Sequence, residues 1–138
     1  MKILIDTNVA LDLLGDRRPF AESAVKVFEL CETGKVDGIV SATTITDIYY
    51  VLRKFADCKT LHSILEKFLS TVDVGNVTAH EIFESLKKCN IDFEDSVQSE
   101  CAKSYDADYI ITRNVKDFSY SKVQAINPDN FLKKINIY

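Results

Sequence analysis

Short apolar runs alternate with amphipathic stretches along the whole chain. Ile3, Leu4 and Ile5 form an unbroken aliphatic run, the pattern of a strand buried on both faces of a parallel sheet. The run stops at Asp6, and apolar positions resume at Val9, Leu11, Leu13 and Leu14, predicting a short helix that the segment 15–19 breaks. Phe20 to Thr33 reads as a helix, with Ala24, Val27, Phe28 and Cys31 recurring at spacings of three and four and Gly34 closing it. A second short strand is expected from Gly38 to Ser41. Thr43 and Thr44 offer hydroxyl caps to a helix whose core face would be Ile45, Ile48, Tyr49, Leu52 and Phe55. Leu61, Ile64, Leu65 and Phe68 mark another amphipathic helix, Thr71 to Val74 a weak strand, and Val77 to Lys88 a helix with Ile82, Phe83 and Leu86 apolar. A further helix opens at Ile91–Asp95 and runs to Tyr105. Asp108 to Thr112 is the second buried strand, followed by a polar loop from Arg113 to Phe118. Val123 to Ile126 reads as an edge strand, and Asn127-Pro128 starts a last helix whose Phe131 packs inward. Helices alternating with short apolar strands predict a three-layer α/β/α sandwich around a central parallel sheet.

Composition narrows this picture. A chain of 138 residues fits one domain, 1–138, with room for a proper core. With 46% hydrophobic and 28% charged residues it is globular, and four Gly and two Pro leave little material for a linker. The three apolar residues before Asp6 are too few for a secretory signal, and no apolar run approaches membrane-spanning length. The four cysteines, Cys31, Cys58, Cys89 and Cys101, show no C-x-x-C pairing and no nearby histidines. They read as reduced thiols of a cytoplasmic protein, neither a zinc site nor a disulfide framework. A formal charge of −4 argues against broad electrostatic adhesion to nucleic acid. It leaves a nucleic-acid enzyme open, because divalent ions held by clustered acids reverse the field where a phosphate sits.

The placement of the acids carries more information than their sum. Asp6 follows the first strand, Asp47 lies in the first turn of the helix after the second, and Asp95 begins a helix ahead of the 108–112 strand. Asn114 and Asp117 follow that strand. Right-handed crossovers bring all strand C-termini to one edge of such a sheet, where ligands bind, so four distant segments can ring one crevice. Two bare carboxylates about 4 Å apart repel by about 4 kcal/mol at an effective dielectric near 20. Oxygen-rich clusters of this kind suit Mg²⁺ or Mn²⁺. Each acid also has a plainer reading. Asp6 caps the next helix, Asp47 favours a helix N-terminus, and Asp92 caps the helix that Asp95 enters. Asn114 and Asp117 read equally as loop residues, and Glu94 and Glu100 as solvated ones.

Four segments, ILIDTNVALDLL at 3–14, TTITDIYYVLRK at 43–54, DFEDSVQSECA at 92–102 and ADYIITRNVKDF at 107–118, together resemble the PIN-domain family and, within it, the bacterial VapC-like toxins. The resemblance implies a PIN-like α/β/α nuclease that binds Mg²⁺ or Mn²⁺ and cuts RNA phosphodiesters, often as a homodimer, and for the toxins a protein antitoxin that blocks the cleft. Carried over by motif, the metal ligands and catalytic acids are Asp6, Asp47 and Asp95. The fourth acidic position falls at Asn114, an uncharged amide, with Asp117 as the substitute. Asp47 stands where relatives commonly carry glutamate. Thr7 and Thr112 would orient carboxylates through their hydroxyls, and Asn8 would do likewise or contact phosphate. Arg17, Arg18, Arg53, Lys54, Arg113 and Lys116 would face RNA phosphates. Two other classes compete. One is a PIN-like module that has lost its chemistry and acts through RNA or protein contacts, motivated by Asp47 and Asn114. The other is an aspartyl-phosphate enzyme, which wants a second acid where this chain has Asn8.

Overall fold

Side chains alternate across each strand, and that alternation sorts the core into two layers. In the computed structural model, which describes residues 1–136, Ile3, Ile5, Val40 and Ile111 face one side of the sheet and Leu4, Ile39 and Ile110 the other. The elements run β1 (Lys2–Ile5), α1 (Thr7–Leu14), α2 (Ala21–Glu32), β2 (Asp37–Ser41), α3 (Ala42–Leu52), α4 (Cys58–Phe68), β3 (Asp73–Gly75), α5 (Ala79–Leu86), α6 (Phe93–Ser104), β4 (Tyr109–Ile111), β5 (Gln124–Ile126) and α7 (Pro128–Ile135). A 3-10 turn, Val115–Phe118, lies between β4 and β5. The strands form one parallel sheet in the order β3-β2-β1-β4-β5. Leu4 therefore pairs with Ile39 on one flank and Ile110 on the other. The chain winds outward through β2 and β3, then returns past β1 to β4 and β5, so the reversal of strand order lies beside the end of β1. That is where an open α/β sheet has its crevice.

The first layer packs Ile3, Ile5 and Ile111 against Val9, Val27, Phe28, Leu61, Phe68 and the fully buried Phe131. The second packs Leu4 and Ile110 against Cys101 and Ala102 of α6 and against Phe118. The expected three layers are thus present. Several local expectations are not. Ser41 caps α3, its hydroxyl accepting from the Thr44 N–H at 3.2 Å, while Thr44 itself is buried. The helix stops at Leu52, so Phe55 leaves the predicted face and is 80% exposed. On α5, Phe83 and Leu86 point outward, and the buried positions are Glu81 and Ser85. Glu81 Oε1 accepts from the backbone N–H and hydroxyl of Thr78 at 2.8 and 3.0 Å. Burial pushes the Glu81 pKa up, but these donors together with His80 and Ser104 hold it below the usual value. Glu100, expected in solvent, is 6% exposed and takes a bond from Lys88 Nζ at 2.7 Å. A charge is tolerated there because its counter-charge arrives from the segment after α5. The four cysteines are free. No helix among the described residues is long and apolar enough to cross a membrane.

Candidate active site

Asp6 is the first residue past β1. Its backbone N–H donates to the Ile111 carbonyl at 2.9 Å, fastening the end of β1 to β4. Its extended backbone makes it the N-cap of α1, with Oδ1 accepting from the Thr7 N–H at 2.8 Å. The capping and site readings of Asp6 are therefore compatible. Two more donors fix the carboxylate: the Thr112 hydroxyl reaches Oδ2 at 2.8 Å and the Gln98 amide reaches Oδ1 at 3.1 Å. The same Gln98 nitrogen donates to Thr44 Oγ1 at 2.9 Å, and Thr44 Oγ1 lies 2.9 Å from Thr7 Oγ1 and 3.1 Å from Ser41 Oγ. Gln98 thus ties together the three segments that carry Asp6, Asp47 and Asp95. It is buried, and its Oε1 has no partner among the described residues.

These elements border a cleft of about 360 Å³ lined by Asp6, Asn8, Asp47, Asp95, Gln98 and Asn114, with Arg17 and Glu94 on its walls. Asp47 lies in the second turn of α3, beyond reach of an N-terminal dipole role. Asp92 caps α6, its Oδ1 accepting from the Asp95 N–H at 3.0 Å, which sets Asp95 in the first turn. Burial pushes the Asp95 carboxyl up to about 7, helped by the charges of Asp92, Asp6, Asp117 and Glu94. Burial also raises Asp47. Glu94 is raised chiefly by the charge of Asp47, then by burial, Asp92 and Asp6. The crevice is short of positive charge.

Asp6, Asp47, Asp95 and Asn114 therefore share one cleft, while Asp117 does not line it but is near enough to act on Asp95 through its charge. Among the described residues, no three His, Cys, Asp or Glu side chains already converge on one point that grasps an ion. Like charges without a cation between them gain by standing apart. The donors are all oxygen, which suits a hard divalent cation. Thr112 bonds a carboxylate directly, whereas the Thr7 hydroxyl engages Thr44 and only its N–H serves Asp6. Asn8 bridges the Thr112 hydroxyl and the Arg113 N–H, each at 3.4 Å. Arg113 is engaged by Asp12, which accepts from its Nε and Nη2 at 2.7 and 3.2 Å. Sequence reasoning passed over Gln98, although it lies three and four residues after Asp95 and Glu94, on the same helix face.

Removing the Asp95 charge has a predictable effect on the metal-free protein. A carboxyl whose folded pKa lies above its ordinary value of 3.8 costs nothing while protonated in both states, below about pH 4. The cost grows as pH rises toward 7 and is complete above it. A shift of this size corresponds to about 4 kcal/mol, which water screening at a half-buried group reduces to roughly 1–2 kcal/mol. In chelator at pH 8, Asp95→Asn is expected to unfold at higher urea concentration than the parent, with the two converging near pH 4. Equal midpoints at pH 8 would contradict this electrostatic reading.

A parallel sheet between two helical layers, with acids lining a crevice at its carboxyl edge, defines an α/β/α protein with an acidic cleft at the ends of its strands. The family model described as PIN domain matches residues 2–116, and the chain belongs to the PIN-domain family. It is 27% identical over 139 residues to Ribonuclease VapC1 of Aquifex aeolicus (strain VF5), across 98% of this chain and 96% of that one. Its fold is similar to VapBC2 from Rickettsia felis bound to a DNA fragment from their promoter, with TM-score 0.71 and 20% identity over 92% of this chain and 98% of that chain. It is also similar to a toxin-antitoxin complex from Klebsiella pneumoniae, with TM-score 0.67 and 23% identity over 91% of this chain and 97% of that chain.

Proposed function

We propose that residues 1–138 act as one nuclease unit, a cytoplasmic Mg²⁺- or Mn²⁺-dependent endoribonuclease that serves as the toxin of a toxin–antitoxin pair and works as a homodimer. The observation that carries this reading is the one cleft that Asp6, Asp47 and Asp95 all line. Full-length similarity to a protein named a ribonuclease and fold similarity to a toxin-antitoxin complex support it. Asp6, Asp47 and Asp95 would hold the ion, with Asn114 and Asp117 adjoining. When bound, the ion supplies Lewis-acid activation of water and charge to offset the phosphate.

The chain's own residues prepare that site. Thr112, Gln98 and the Thr7 N–H restrain both oxygens of Asp6, so its direction is set before any ligand arrives. Thr112 Oγ1 also accepts from the Asn114 N–H at 3.1 Å, anchoring the loop after β4 to the same carboxylate. Arg17 on the cleft wall offers a positive charge to an incoming phosphate. Purified protein is expected to cut single-stranded RNA internally with Mg²⁺ or Mn²⁺ and to lose that activity in excess chelator. RNA left intact by folded, metal-supplied protein would refute the assignment.

A further inference from the structure

Beyond Asn114 lies a second cavity of about 450 Å³, whose wall includes Phe20, Ser23, Arg113, Asn114, Asn127 and Asp129. Asn114 borders this cavity and the acidic cleft alike, so the two spaces adjoin. Phe20 enters α2 at its N-cap position yet leaves its ring 43% exposed. A lone exposed ring is ordinary. This one carries the Arg113 guanidinium 4.0 Å from its centroid, and Asp12 holds that guanidinium in place from below through two bonds. The result is a flat cation–π slab, braced by Asp12, in the wall of the cavity that adjoins the acidic cleft. Hydrogen-bonding groups stand around it. Asn127 uses its Oδ1 to cap α7 through the Asn130 N–H at 2.8 Å, which leaves its Nδ2 donors for other work. The Asn114 side-chain amide has no partner among the described residues, and the Ser23 hydroxyl bonds Asp129.

We propose that this cavity is a nucleobase subsite, in which an unpaired base next to the scissile phosphate stacks on the Phe20–Arg113 slab and offers its edge to Asn114 and Asn127. The proposal rests on the ribonuclease reading and adds where that substrate is gripped. Bases stack on aromatic and guanidinium planes irrespective of sequence, and amides supply both donor and acceptor to a base edge. Adjacency through Asn114 explains why the phosphate of that nucleotide would fall among the acids.

The test uses the cleavage-deficient Asp6→Asn protein with Mn²⁺, and a short fluorescein-labelled single-stranded RNA carrying an abasic nucleotide at each position in turn. Anisotropy is expected to show one sensitive position, where loss of the base weakens binding about tenfold. In Asp6→Asn/Phe20→Leu, intact RNA should bind about tenfold more weakly and the abasic penalty should disappear, while Asp6→Asn/Phe20→Tyr keeps both. Photocrosslinking from 4-thiouridine at the sensitive position should label the peptide containing Phe20 or Asn127, a readout independent of any Phe20 substitution. A flat abasic profile, or one that Phe20→Leu leaves unchanged, overturns the subsite while wild-type cleavage still stands. RNA that neither binds Asp6→Asn nor is cut by the wild type overturns the ribonuclease reading along with it.

Discussion

Replacing Asp6 by asparagine is expected to abolish metal-dependent RNA cleavage while leaving the protein folded. Asp6 is nearly buried at the end of the central strand, and its two oxygens are the shared acceptors of Thr112, Gln98 and the Thr7 N–H. Asparagine keeps the shape and one acceptor oxygen, which serves Thr7 and Gln98. Its amide nitrogen then faces the Thr112 hydroxyl, whose lone pairs already take the Asn114 N–H and the Asn8 amide, so the bond from Thr112 is lost. One buried hydrogen bond is lost, at a cost of about 1–3 kcal/mol that leaves the protein folded. Charge is not preserved, and charge is what a hard dication needs from this position. Losing a residue that only supports a ligand typically costs 10–100-fold, so losing a ligand should cost on the order of 10²-fold or more. Initial rates on labelled RNA, with a melting curve for each protein, check this. Cleavage within a few-fold of wild type by the folded variant would remove Asp6 from the site.

The second large effect is expected in stability. Asp12 is 1% exposed inside α1, and Arg113, two residues past β4, supplies both hydrogen-bond partners of its carboxylate. Arg113→Ala would leave that charge buried and alone, at a cost of about 3–5 kcal/mol. It would also strip the guanidinium from the Phe20 ring. Asp12→Asn in the Arg113→Ala background should recover part of the loss, because the stranded charge goes with it. Urea unfolding of the single and double variants measures both quantities. A single-variant loss below about 1 kcal/mol, with no recovery in the double, would show that water already reaches Asp12.

β1, β2 and β4 were legible because each is a short buried run ending at a polar residue, and Ile3–Ile5 and Ile110–Ile111 carry that signal without help from the rest of the fold. Asp6 was legible for the same reason: an acid directly after a buried parallel strand has few places to point. Asp47 and Asp95 could be placed near the same edge by topology, though not at a given separation, which the tertiary packing of α3 and α6 sets. Glu100 shows where local reading ends. Its burial depends on Lys88, twelve positions earlier, bringing a counter-charge across from the segment after α5. Phe55 was misplaced because the α3 pattern continues in sequence past the point where the helix stops. Gln98 and the Asp12–Arg113–Phe20 stack are products of tertiary contact. Gln98, Asp12 and Arg113 alone are ordinary surface types, and only the folded chain gives each its partner.

Everything proposed for the cleft requires that its carboxylates attract a divalent ion strongly enough to overcome their mutual repulsion. Calorimetric titration of Mn²⁺ into the wild type and into Asp95→Asn tests this most directly. Saturable binding by the wild type, lost or weakened at least tenfold in the variant, is the result this structure predicts. Absence of binding by the folded wild type, or equal binding by both proteins, would contradict it.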